Sequence, residues 1–232
     1  PKTVAPDIVV PSASPSTAAA EHPEERRLWS SLLKKASCNL LHGCPAADEL
    51  VALSPEVAVR AAQRLKEDRG DRIWRFALAR SLVLIRHPEV QKWQEEAIKH
   101  HQWLIRAYAA AGLGRNAPER FIQLAEAILK NETNPGVQVG ILWGLAMARH
   151  KGARARLAEA ISNLPGGPDI RIELVGLDAT RNLSIVEALP FVRKMLNHPN
   201  FFVIRDATLT IRSLLDHQSI PLLIPLLSHE RK

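Results

Sequence analysis

The chain has 232 residues, a net charge of +7 and only 5% aromatic residues within a 46% hydrophobic composition. Its core must therefore be aliphatic, and Ala and Leu favour helix over strand. No run approaches the roughly 18–20 apolar residues that cross a bilayer, and the first residues lack the basic-then-apolar order of a signal peptide.

Residues 1–20, PKTVAPDIVVPSASPSTAAA, are rich in Pro, Ser and Ala and keep no helical period. They read as a disordered linker or a frayed terminus. Pro1 in place of Met marks a processing site or a boundary within a longer chain. Residues 21–53 predict an irregular helical cap. Pro23, Glu24 and Glu25 suit a first turn, and Leu28, Trp29, Leu32 and Leu33 share one face.

From Ser54 to residue 232 the chain predicts a repeat array. Ser54-Pro55-Glu56 is a helix start. Breaks follow at Arg69-Gly70-Asp71, His87-Pro88, Gly112-Leu113-Gly114, Asn134-Pro135-Gly136, Pro165-Gly166-Gly167-Pro168 and His198-Pro199-Asn200. Five segments share one layout and align on Arg75, Arg106, Gln138, Arg171 and Arg205, at spacings of 31 to 34 residues. Small residues Ala77, Ala109, Gly144, Gly176 and Ala207 permit close helix approach.

These residues resemble the HEAT family in its short form, the type also seen in phycobilisome-lyase-like proteins. The resemblance rests on Leu196-Asn197-His198-Pro199 followed by Ile204-Arg205-Asp206-Ala207, and on Ile105-Arg106-Ala107-Tyr108-Ala109. It covers roughly residues 54–232, with Gln138 departing from the family's Arg. It implies an all-α, right-handed α-solenoid of stacked antiparallel helix pairs. One pair cannot bury its own apolar face, so neighbours share a core. The aligned arginines are expected to serve inter-repeat hydrogen bonds or solvated faces.

The basic excess lies in residues 54–232. Such a balance fits nucleic acid, an acidic lipid surface, an acidic protein or simply a solvated surface. Arg149, Lys151, Arg154 and Arg156 form the densest cluster, and Arg72, Arg75, Arg80 and Arg86 a looser one. On one surface they would hold phosphates, with Trp74, Trp103 and Trp143 available to stack bases; at helix-pair interfaces the tryptophans are core instead. HEAT-like DNA glycosylases that remove alkylated bases carry a catalytic Asp among tryptophans. Asp178 and Asp206 lie in second helices here, without a clear Trp–Asp constellation.

Cys38 and Cys44 admit three readings: a local disulfide, two reduced thiols, or a metal site with His42, whose spacing is wrong for zinc. No cofactor or metal motif is present. His87, His100, His101, His150, His198, His217 and His229 fall near helix ends, where a protonated ring suits a C-terminus.

Ser219–Glu230 is apolar on most sides. It predicts a chain broken within a repeat, or a helix that meets another subunit through Leu222, Leu223, Leu226 and Leu227. A third reading buries one side and leaves two prolines to limit the rest. The expected function is a non-enzymatic scaffold for protein–protein interaction, with nucleic-acid binding as the alternative. An exported or periplasmic location is favoured over a cytoplasmic one by the linker, the missing Met and the Cys pair.

Overall fold

The computed structural model describes residues 23–33, 45–67 and 73–227. All regular structure among them is helical, as the aliphatic composition predicts. The helices are α1 Pro23–Leu33, α2 Pro45–Leu53, α3 Pro55–Glu67, α4 Ile73–Ser81, α5 Pro88–Ala97, α6 Trp103–Asn116, α7 Pro118–Asn131, α8 Pro135–Met147, α9 Ala153–Ser162, α10 Arg171–Leu183, α11 Leu189–Met195, α12 Phe201–Leu214 and α13 Ile220–Leu227. Short 3-10 turns precede α11 and α13 and follow α4.

Local chemistry sets the starts. Proline opens α1, α2, α3, α5, α7 and α8, where its fixed φ suits the first turn and its missing N–H costs nothing. The Asn134 side chain accepts from the N–H groups of Gly136 (3.0 Å) and Val137 (3.2 Å), and Asn200 accepts from that of Phe202 (2.9 Å). Each caps otherwise unpaired donors. The stops are less ordinary. α8, α10 and α12 end on left-handed residues that are not glycine: Arg149 (φ 58°), Ser184 (φ 51°) and Leu215 (φ 53°). Each turn is closed by a backbone bond from the next residue, such as His150 N–H to the Leu145 carbonyl at 2.9 Å.

The helices form two rows. Each even-numbered helix from α2 to α12 packs on the next even-numbered one, and odd-numbered helices lie against them: α5 on α6, α7 and α9 on α8, α11 on α12. The α6–α8 contact is the closest. A Cβ on Gly140 would lie 2.4 Å from the Ala107 carbonyl oxygen, and one on Gly144 would lie 2.4 Å from that of Ala110. Only glycine permits that approach. α6 and α8 are buried nearly all round, including Ile105, Tyr108, Leu113, Val139, Ile141 and Trp143.

The N-terminal helices join the same rows, α2 packing on both α3 and α4. The buried Glu25 of α1 accepts from Arg60 of α3 (Nε at 2.8 Å). Trp29 sits between Trp74, edge-on at 6.4 Å, and the Arg64 guanidinium, 4.5 Å from its ring.

Candidate functional site

Close approach of α6 and α8 brings their outer neighbours α4 and α10 within side-chain reach. Arg80 of α4 donates to the Asp178 carboxylate of α10 at 2.8 Å, across 98 residues of sequence. Asp178 is buried and also accepts from the Tyr108 hydroxyl of α6 (3.0 Å) and from Arg181 one turn along. The neighbouring Asp178 carboxylate raises the Arg80 pKa further above its ordinary value, against the effect of burial. Burial, then Asp178, pushes the Tyr108 phenol well up, so it remains a proton donor.

A second rung lies nearer the start of α10. The Arg171 guanidinium sits 5.8 Å from the Phe76 ring of α4 and 5.5 Å from that of Trp103 of α6. Asp169 holds it from behind, accepting from Nε at 2.7 Å, and that bond keeps the Asp169 carboxyl below the usual range. On α12, Asp206 is buried and accepts from Arg205 (3.0 Å). The Arg80–Asp178 and Arg171–Phe76 contacts thus join α4 to α10, and Asp178 has three donors around it.

Several members of the two basic groups are held by acceptors of the protein itself. Arg72 lies outside the described residues. Arg75 is buried and donates to the Leu65 carbonyl at 3.1 Å. Arg80 holds Asp178. Arg154 donates to the Leu183 carbonyl at 2.9 Å and to that of Ser184, closing the end of α10. Arg156 pairs with Glu126 of α7, whose carboxyl it holds down. Arg149 and Lys151 are exposed in the α8–α9 turn, and Arg86 is exposed after α4. Of the tryptophans, Trp74 and Trp143 are core, and Trp103 is partly buried.

Three of the histidines play a different part from the one expected of them. His87, His100 and His198 each accept, through Nδ1, from the N–H two residues on: Glu89 (3.2 Å), Gln102 (3.1 Å) and Asn200 (3.0 Å). Each ring nitrogen thus acts as an acceptor ahead of a helix start and not at a helix C-terminus: His87 caps α5, while His100 and His198 bond the N–H of the residue just before α6 and α12. Burial, with His101 and Arg75 nearby, pushes His100 down to about 4.

The C-terminal helix presents a different surface. Leu223 and Leu226 pack on the core. Ile220 (50% exposed), Leu222 (43%) and Ile224 (60%) face outward, with the exposed Pro221 and Pro225 between them. Leu215, at the end of α12, is 73% exposed. The Leu227 side chain lies outside the described residues, as do Cys38, His42 and Cys44. No cluster of three or more His, Cys, Asp or Glu with metal-holding geometry occurs among the described residues. Nor is any described helix long and apolar enough to cross a membrane.

The sequence pointed to Arg80 and Asp178 separately and missed that they meet. Nothing local announces a pair 98 residues apart. Comparison with known protein families, with curated proteins and with solved structures finds no match in any of the three.

Proposed function

We propose that the chain is a right-handed α-solenoid of HEAT-type helix pairs, acting as a non-enzymatic scaffold that binds another protein through α13. The two-row packing, with successive even-numbered helices in contact, supports the repeat reading. The observation that carries the binding reading is the outward arc of α13. Ile220, Pro221, Leu222, Ile224 and Pro225 cover some two hundred degrees of the helix surface at 100° per residue, and none carries a polar side chain. A helix apolar on every side belongs in an interior, and a contiguous exposed apolar patch marks an interaction site.

The burial of Arg75 and the engagement of Arg80 with the buried Asp178 weigh against a phosphate-binding face built on the Arg72–Arg86 group. Asp178, with two arginines and a phenol around it, is poorly suited to act as a reactive carboxylate.

Photocrosslinking in the native host tests the reading. Benzoylphenylalanine in place of Ile224 should give a discrete crosslinked protein, and the same residue in place of Leu124, exposed on α7, should not. No product at position 224 would end the scaffold reading at this face. Fluorescence anisotropy with a labelled DNA duplex at low salt covers the alternative; binding that fades steeply with added salt would favour nucleic acid. An exported location rests on Cys38 and Cys44 being paired, and two titratable thiols in protein from the native host would remove that support.

A further inference from the structure

Resting on α13 as a docking face, we propose that its occupant is a second copy of this chain, with the two α13 helices packed against each other about a two-fold axis. Three observations point there.

The face is preorganised. Arg193 of α11 donates to both Asp216 oxygens (2.9 and 2.7 Å) and to Gln218 (3.1 Å), and the buried Ser219 hydroxyl donates to Asp216. This knot fixes the 3-10 turn from which α13 starts, while Leu223 and Leu226 anchor one side of the helix. Ile220, Leu222 and Ile224 are thereby held outward before any partner arrives, which lowers the cost of docking.

The face is neutral on a charged protein. Each copy carries +7, so two copies repel in most orientations. Ile220–Leu227, IPLLIPLL, contains no ionisable residue, and pairing it with itself juxtaposes no like charges there. A two-fold contact also makes the patch its own complement.

The area fits a weak, reversible dimer. The exposed parts of Leu215, Ile220, Pro221, Leu222, Ile224 and Pro225 come to roughly 500 Å² per copy, so two copies bury at most about 1,000 Å², the lower bound for a specific interface. An interface of that size is not that of an obligate dimer.

Sedimentation velocity on the purified chain tests this, over roughly a hundredfold range of concentration around 10 µM, at low and moderate salt. A monomer–dimer equilibrium should appear and tighten as salt screens the repulsion between copies. Ile224→Lys and Leu222→Lys should each weaken it at least tenfold with an unchanged circular dichroism spectrum, and Leu124→Lys should leave it intact. A chain that stays monomeric at every concentration and salt overturns the proposal. So does a dimer indifferent to Ile224→Lys and Leu222→Lys. The crosslinked product at position 224 separates the two readings. A homodimer supports the second-copy proposal and α13 as a docking face. A different protein, with a monomer in the centrifuge, sinks the second-copy proposal and leaves the docking face standing. No product, with a monomer, removes both.

Discussion

Arg80 and Asp178 stand 98 residues apart and 2.8 Å from one another, joining α4 to α10 over the flank of the α6–α8 pair. Asp178 is nearly inaccessible while Arg80 reaches partly into solvent. The pair therefore has one desolvated member, and its loss is asymmetric. Asp178→Ala leaves Arg80, Arg181 and the Tyr108 hydroxyl without their common acceptor and should cost about 3 kcal/mol. Arg80→Met leaves Asp178 with two donors and should cost about 1 kcal/mol. Urea unfolding of both variants and of the double mutant measures the coupling. Additive costs would show that the contact does not tie the two helices together.

Gly140 and Gly144 set how near α8 comes to α6. A methyl at either position meets a backbone carbonyl, of Ala107 or Ala110, which cannot move aside as a flexible side chain would. Gly140→Ala should destabilise the fold by about 2–3 kcal/mol. It should also loosen the Arg80–Asp178 contact, read as faster amide exchange in α4 and α10. Gly166→Ala is the control, because a methyl there meets nothing within 4 Å. Equal effects at the two positions would show that the loss is not steric.

His100 works as a neutral acceptor, its pKa pushed down to about 4 by burial and by His101 and Arg75. The unfolded chain holds a proton on this ring below the ordinary histidine value near 6.5. Between about pH 6.5 and pH 4 the unfolded state thus binds more protons than the folded one. The stability that His100 contributes is complete above the upper value and declines as pH falls through that window. NMR titration should show the His100 ring unprotonated at pH 5.5. A midpoint near 6.5 would refute the assignment. His100→Asn, which keeps an acceptor, should flatten the dependence.

Glu173 lies buried in the first turn of α10. One carboxylate oxygen has no partner among the described residues, and the other receives only the Gly167 N–H at 3.4 Å. A buried carboxylate so weakly held is a cost to the fold. Glu173→Met should raise stability by about 1–2 kcal/mol in urea unfolding; a loss of similar size would mean that the carboxylate is better satisfied than its contacts suggest.

Much of the helical layout was legible in the sequence. Pro23, Pro55, Pro88 and Pro135 sit where helices begin, and Asn134 and Asn200 cap the helices they precede. The alignment on Arg75, Arg106, Gln138, Arg171 and Arg205 places one residue near the start of each even-numbered helix from α4 to α12. The ends were harder. Arg149, Ser184 and Leu215 take the left-handed turn without glycine, so the usual stop signal is missing. The histidines were placed correctly near helix ends, but whether a ring donates or accepts depends on which N–H faces it.

The amino-acid order alone determined the helical class, several of the turns (though the break expected at Gly112-Leu113-Gly114 lies inside α6) and the apolar character of Ile220–Leu227, because propensity, proline geometry and side-chain polarity act over a few residues. Only the tertiary structure decided that Arg80 meets Asp178, that Arg154 and Arg156 find surface partners about thirty residues away, and which side of α13 stays open. Those outcomes depend on how helices remote in sequence come together; for Arg80 and Asp178 that includes the distance between α6 and α8, which the backbone contacts at Gly140 and Gly144 set.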